Sequence, residues 1–277
     1  MKTKTLITKQ LAALGIKPET EVAFRAIGDY DAEVLDRYFS DIESRAEFFL
    51  AADEYLYDIK SYFADNGVDF VSFEGTVIAC DAEIGEGTLI YPNVQIRSGA
   101  VIGKNCVIGS GSVIENSKIG DGCNINATQI YGSTLDENVK IGPFSHVRPG
   151  THLHAGVKVG DFVEIKNSDV GENTHASHLT YIGDSDVGAD VNFGCGTVTS
   201  NYDGREKHRT IIGDGAFIGC NTNLVAPVTV GEHGYTAAGS TVTKDVPPFA
   251  LAISRSKQIN LEGWVKGREK EENDSAK

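Results

Sequence analysis

A six-residue beat of aliphatic side chains limits this chain to very few folds. Ile78, Ile84, Ile90, Ile96, Ile102, Ile108 and Ile114 fall six apart without interruption. With an occasional five-residue step the beat runs on through Ile119, Ile125, Ile130, Leu135, Ile141, Val147, Leu153, Val159, Ile165, Val170, Ala176, Ile182, Val187 and Phe193. It breaks, then returns at Ile212, Ile218, Leu224 and Val230. A short fixed period of this kind is the signature of a parallel β-helix, in which each unit buries its apolar residue only by stacking on the next. Three hexapeptides make one triangular coil, with the aliphatic side chains stacked inside at about 4.8 Å per coil. Gly often follows the aliphatic residue, as at Ile84-Gly85 and Ile218-Gly219, and suits a corner that needs positive φ or close backbone approach. At roughly 18 residues per coil, Val77 to Val246 holds about nine coils. The expected fold is mainly β, a left-handed parallel β-helix with an N-terminal α-helical segment; its hand departs from the usual right-handed crossover.

The helical segment is expected over 1–70. From Asp31 to Asn66, apolar residues such as Val34, Leu35, Tyr38, Phe39, Phe48, Tyr55, Ile59 and Phe63 recur at amphipathic spacing, and Asn66-Gly67 is a stop signal. No glycine-rich phosphate loop occurs in it, so it reads as a helical cap or interaction module. The β-helix is assigned to 71–262, closed near Pro247-Pro248, and 263–277 reads as a charged, mobile tail.

Charge narrows the partners. Thirty-nine acidic residues against 25 Lys and Arg give a net charge of −14, which disfavours nucleic acid and anionic membrane. No apolar run nears the roughly 20 residues of a membrane span, and the N-terminus lacks the pattern of a signal peptide. Five cysteines, Cys80, Cys106, Cys123, Cys195 and Cys220, form no CxxC pair. They read as reduced, half-buried residues of a cytoplasmic protein.

Chemistry-bearing residues gather in Phe162–Gly204, where the beat carries Glu164, Lys166, His178, Tyr181, Asn192, Asn201 and Tyr202. The break in the beat, TSNYDGREKHRTI from Thr199 to Ile211, is too long for a corner. In solenoids such insertions loop out on one face, often the binding one. In FVEIK, alternation sends Ile165 inward and puts Glu164 and Lys166 outside. Arg148 lies three full repeats before Lys166, so the two cations should stack one coil apart, an arrangement that calls for an anion. His178, two repeats after Lys166, falls on a different face, and its imidazole suits a general base near neutral pH. A neighbouring subunit would be needed to bring these groups together. A metal site at His175-x-x-His178 is not expected, because His146, His152 and His154 lie more than one coil earlier.

The runs IGPFSHVRPGT, KVGDFVEIKNS, HLTYIGD, VNFGCGTVTSNYDG, FIGCNTNLVAPVTVG, AAGSTVTKDVP and ALAISRSKQ resemble, in order and spacing, the acetyltransferase domain of the bifunctional enzyme family that makes UDP-N-acetylglucosamine. The resemblance covers Asp69 to Trp264 and not 1–68; the family's nucleotidyltransferase domain is not matched, so a stand-alone form is expected. It implies that Arg148, Lys166, Tyr181 and Asn192 bind glucosamine-1-phosphate, with Lys207 close to the phosphate. It implies His178 as the proton acceptor, Glu164 as a supporting carboxylate, and Asn201 and Tyr202 facing the acetyl-CoA thioester. Cys195, Cys220, Ala238 and Arg255 match coenzyme-contacting positions. At Cys195 and Cys220 small Ala and Ser are usual in the family. The resemblance implies acetyl-CoA as co-substrate without a metal, a homotrimer with intersubunit sites, and a separate uridylyltransferase as a natural partner. The competing readings are a hexapeptide acyltransferase for another amino-sugar acceptor and a non-catalytic trimeric scaffold.

Overall fold

The computed structural model describes residues 37–39 and 42–266. The helical pattern before residue 37 and the charged tail after 266 lie outside the described residues. Within them the chain is a left-handed β-helix whose three flat faces are parallel sheets of eleven, ten and nine strands. Interior strands pair with the strands one coil before and after them, so sequential strands never pair and, except at the last step of the first face, each face takes every third strand. The first face runs from Asp69–Phe70 to Leu251–Ala252, the second from Val77–Ile78 to Thr241–Val242, the third from Glu83–Ile84 to Val228–Val230.

The beat builds the core as expected. Ile78, Ile90, Ile96, Ile108, Ile114, Ile125, Ile130, Leu135, Leu153, Ile165 and Ile182 are fully buried and stack along the axis. At roughly 25 cal/mol per Å² this apolar burial is the dominant stabilising term. Two kinds of corner separate the strands. Gly219 has no room for a side chain, since a Cβ there would lie 2.4 Å from the Thr236 carbonyl oxygen. Such glycines, directly after the core aliphatic, serve close approach. The left-handed φ falls instead at other corner positions, taken by Gly or by Asn93, Asn105, Asn138, Asn167 and Asn221; Asn tolerates this region best among residues with a side chain.

Five-residue steps shorten some coils without disturbing the stack. Thr210 and Val228 pair across three full repeats, whereas Glu164 and Tyr181 pair across a coil one residue shorter. One coil is different. Ser185 pairs with Thr210, and Val198 with Asn223, a step longer than four full repeats. The extra residues leave as one loop between Val198–Ser200 and Thr210–Ile212, and register resumes on all three faces.

The ends depart from expectation in two respects. The helical pattern is interrupted: Ser44 starts a helix of its own, Arg45–Asp65, by a capping box in which Ser44 Oγ accepts from the Glu47 amide and Glu47 Oε2 accepts from the Ser44 amide. Asn66 and Gly67, with φ of 88°, end it. Pro247-Pro248 does not close the β-helix, because Leu251–Ala252 still pairs with Tyr235–Thr236. Among the described residues no helix is long and apolar enough to cross a membrane.

Candidate functional site

The most highly bonded side chain on the second face is Asp184. It is buried at 4% exposure and adopts φ of 49°, a corner conformation. Its carboxylate accepts from Lys166 Nζ at 3.3 and 3.4 Å, from Asn167 Nδ2 at 2.6 Å and from Asn201 Nδ2. Burial alone would raise its pKa. The hydrogen bonds from Asn167, Lys166 and Asn201 outweigh burial and hold it below the ordinary carboxylate value. Asp184 therefore fixes one cation and two amides, drawn from the coils on either side.

Around this anchor the expected phosphate residues come together. The register pairs His146 with Glu164 and Val147 with Ile165, so Arg148 lies one coil from Lys166 as their three-repeat spacing requires. The cations are not bare: Arg148 Nη1 donates to Glu164 Oε1 at 2.8 Å, and Lys166 is held by Asp184. Stacking alone thus does not demand an anion. Lys207 adds a third positive group. Lys207 neighbours Lys166, and the pair pushes the Lys207 pKa below and the Lys166 pKa above the ordinary lysine value, the latter with the Asp184 carboxylate adding to it. Tyr181 is the next residue in the Glu164 column, and its phenol accepts from Asn201 Nδ2 at 3.5 Å. The ring lies over Gly183, where a Cβ would fall 2.3 Å from the phenolic oxygen.

Lys207 arrives on a structured hairpin. Tyr202 pairs antiparallel with Lys207, and the Asn201 carbonyl accepts from the His208 amide at 2.8 Å. Asp203 organises the tip: its Oδ1 accepts from the Arg205 and Glu206 amides at 2.7 Å each, and Oδ2 lies 2.8 Å from His208 Nε2. The Glu206 amide first, then His208, hold Asp203 far below the usual carboxylate range. Arg209 ties the return to the third face through Asp186 and the Ser185 carbonyl. Asn201 is buried at the base and Tyr202 exposed at the tip.

The expected base and coenzyme residues form a second group. His178 ends the strand His175–His178 on the first face, opposite Asp161, and is exposed. Counting on from the pairings Ala176–Phe193, Phe193–Ile218 and Ile218–Thr236, His178, Cys195, Cys220 and Ala238 occupy one edge of four successive coils. At about 4.8 Å per coil that edge is roughly 14 Å long. Arg255 Nη1 reaches back to the Ala238 carbonyl at 3.0 Å. Beside His178 the corner carries Phe144, Phe162 and Leu179, all with φ between 44° and 58° and all more than half exposed. Phe144 and Phe162 stack at 5.6 Å.

Comparison with known proteins gives the family. The family described as "Bacterial transferase hexapeptide (six repeats)" matches residues 81–116 and 132–167. The bifunctional protein GlmU of Caldicellulosiruptor saccharolyticus is 52% identical over 224 residues, 81% of this chain and 48% of that one. GlmU of Clostridium botulinum, type A, is 53% identical over 200 residues, 72% of this chain and 44% of that one. Over that stretch the chain is a GlmU homologue. It spans about half the length of these relatives. Among solved structures, a UDP-N-acetylglucosamine acyltransferase from Campylobacter jejuni matches 70% of this chain and 76% of its own, at 21% identity and a TM-score of 0.39; a likeness that loose carries no argument.

Within this GlmU-homologous chain, Arg148, Glu164, Lys166, Tyr181, Asn201 and Lys207 are brought together around one anchor. His178, Cys195, Cys220, Ala238 and Arg255 follow the neighbouring edge. Asn192 stands apart from both, one coil beyond His175 on the first face. No disulfide joins the five cysteines, but they are not uniformly half-buried: Cys106 and Cys123 are buried, Cys195 is intermediate, and Cys80 and Cys220 are exposed. The sequence reading does not single out Asp184 or Asn167. Asp184 follows Gly183 directly, which reads as a turn, and only the stacking of Lys166 on Gly183 shows what its carboxylate meets.

Proposed function

We propose that this chain moves the acetyl group of acetyl-CoA onto the amine of glucosamine-1-phosphate, giving N-acetylglucosamine-1-phosphate for UDP-N-acetylglucosamine and cell-wall precursor synthesis in the cytoplasm. The observation that carries this reading is the cationic trio of Arg148, Lys166 and Lys207, in which each of the first two has its own carboxylate and the third, among the described residues, has no ion-pair partner. A phosphate dianion supplies the missing negative charge, and a guanidinium beside two ammoniums is a suitable grip. Similarity to GlmU supports the acceptor sugar.

In this reading His178 accepts the proton as the amine attacks the thioester carbonyl, Asn201 and Tyr202 lie near the acyl group, and the thiolate of coenzyme A departs and is reprotonated. Glu164 holds Arg148 in place, and Tyr181 and Asn192 contact the sugar. The coenzyme follows the Cys195–Cys220–Ala238 edge to Arg255. These steps use no metal.

Assembly as a homotrimer completes the site. Phe144, Phe162 and Leu179 keep bulky side chains in left-handed backbone, a conformation that costs on the order of 1–3 kcal/mol per residue, and expose them in a row. A neighbouring subunit covering this row beside His178 would recover apolar burial and bring its own residues to the phosphate group. A separate uridylyltransferase would consume the product. The test is release of coenzyme A thiol with glucosamine-1-phosphate as acceptor and glucosamine-6-phosphate as control; equal rates, or none with either, would refute the assignment.

A further inference from the structure

The third face carries a group of side chains that the acetyl-transfer reading leaves unused. Asp136, His152, His154 and Asp169 come from three successive coils, and their register makes a compact square. Thr134 pairs with His152 and His152 with Asp169, while Leu135 pairs with Leu153, which sets Asp136 beside His154. Alternation along the strand puts His152 and His154 on the same outer surface. Their rings lie 4.0 Å apart, centroid to centroid, at 32°. One ligand atom from each of Asp136, His152 and His154 lies within 4.8 Å of the others.

The contacts do not balance for neutral imidazoles. Asp136 lies 3.0 Å from His152 Nε2 and 3.2 Å from His154 Nδ1; Asp169 lies 3.0 Å from His154 Nε2 and 3.7 Å from His152 Nδ1. Both nitrogens of both rings therefore face carboxylate oxygen. A neutral imidazole has one N–H and one lone pair, so four contacts share two protons. If both protons face Asp169, two nitrogen lone pairs are left pointing at Asp136.

We propose that this square is a site for a divalent transition-metal ion of the Zn²⁺ or Co²⁺ class, ligated by Asp136, His152 Nε2 and His154 Nδ1. Asp169 then accepts the remaining N–H of His154 at 3.0 Å and faces that of His152 at 3.7 Å, the supporting role that a carboxylate commonly plays behind a metal-bound histidine. The spacing is compatible: one ligand atom from each of the three residues lies within 4.8 Å of the others, and His152 Nε2 and His154 Nδ1 lie 3.0 and 3.2 Å from Asp136 Oδ1 and Oδ2 respectively, against the roughly 3.3 Å between neighbouring ligand atoms when bonds of about 2.0–2.2 Å are arranged tetrahedrally. The charge fits too, since two carboxylates neutralise one divalent ion. Nitrogen and oxygen donors select this class over Ca²⁺ or Mg²⁺. A three-ligand set leaves a position for water. The next acid along the face, Asp186, is already occupied by Arg209 and closes the site on that side.

The test uses the full chain, stripped with chelator and titrated with Co²⁺ at neutral pH. The expected result is the visible absorption of tetrahedral Co²⁺, saturating at one ion per chain, bleached by Zn²⁺, with a rise in Tm on Zn²⁺ addition. The double variant His152→Gln/His154→Gln should lose the band, and Asp169→Asn should weaken affinity by roughly 10–100-fold. His175→Gln should change neither. Absence of the band in the unaltered chain, or an equal band in the double variant with its β-sheet circular dichroism intact, would overturn the proposal and leave the group a His–Asp hydrogen-bond network.

Discussion

Lys166 and Asp184, one coil apart along the chain, meet through both carboxylate oxygens at 3.3 and 3.4 Å. The pair is the centre from which Asn167, Asn201 and, at one remove, Tyr181 and Lys207 are positioned. Asp184 is almost fully buried and Lys166 only partly so, with side-chain exposures of 6% and 19%. Removing the carboxylate strands a cation and two amides.

Asp184→Ala is expected to lower the unfolding free energy by about 3–5 kcal/mol, the usual cost of breaking a buried pair from one side, read by urea denaturation. The pH dependence has a definite sign. The folded-state pKa of Asp184 lies below its ordinary value, so its contribution is complete above roughly pH 4 and is lost as pH falls through the folded pKa. Asp184→Asn should flatten the acid side of the stability profile; an unchanged slope would count against the pair.

Gly183 is a second point of leverage. A methyl group there meets the Tyr181 ring at 2.3–2.8 Å. Gly183→Ala should displace Tyr181, raise the KM for the acceptor and leave the β-helix folded. Gly183→Ala added to Tyr181→Ala should raise that KM no further than Tyr181→Ala alone, because the methyl group acts through the Tyr181 side chain it meets.

His178 should matter for rate and not for folding, since its imidazole makes no side-chain hydrogen bond among the described residues. His178→Ala is expected to lower kcat by on the order of 10²–10⁴ with Tm and oligomeric state unchanged. Near-normal turnover would remove it from the mechanism.

The two groups of residues predict a split in the kinetics. Arg148→Ala should raise the KM for glucosamine-1-phosphate and spare that for acetyl-CoA; Arg255→Ala should do the reverse. Parallel changes in both constants would mean that the phosphate and coenzyme regions are wrongly divided.

Cys195 and Cys220 lie on the edge assigned to the coenzyme, the first partly and the second openly accessible. Alkylation with a maleimide should inhibit acetyl transfer, acetyl-CoA should protect, and Cys195→Ala/Cys220→Ser should resist. Inhibition that persists in the double variant would point elsewhere.

The architecture is legible in the sequence because one residue in six reports on the core. Ile78 to Ile114 state the period outright, and the three repeats separating Arg148 from Lys166 translate directly into one coil. The loop is legible as a break in the beat. What the period does not carry is which polar groups pair across coils. Glu164 reads as a neighbour of Lys166, yet its carboxylate goes to Arg148. Asp184 reads as a turn residue, yet it is buried. In the sequence His152 and His154 invite comparison with His175, on another face, whereas their partner Asp136 sits one full coil before His154 on their own. The helical segment misleads in a different way: an amphipathic pattern continues across Ser44, but the capping hydrogen bonds start a new helix there.

The helix Arg45–Asp65 has a consequence beyond its own packing. A stack of coils in which each touches only its neighbours behaves as a one-dimensional lattice, and its weak points are its two free ends. An uncovered first coil would offer a row of unpaired backbone groups to any passing strand. Phe63 and Val68 enter the core at that end, and Lys60 Nζ donates to the Phe73 and Thr76 carbonyls at 3.3 Å. The helix thus acts as a stopper: it packs on the Val77–Ile78 end of the stack and takes up part of the surface that edge-to-edge addition of a second chain would use.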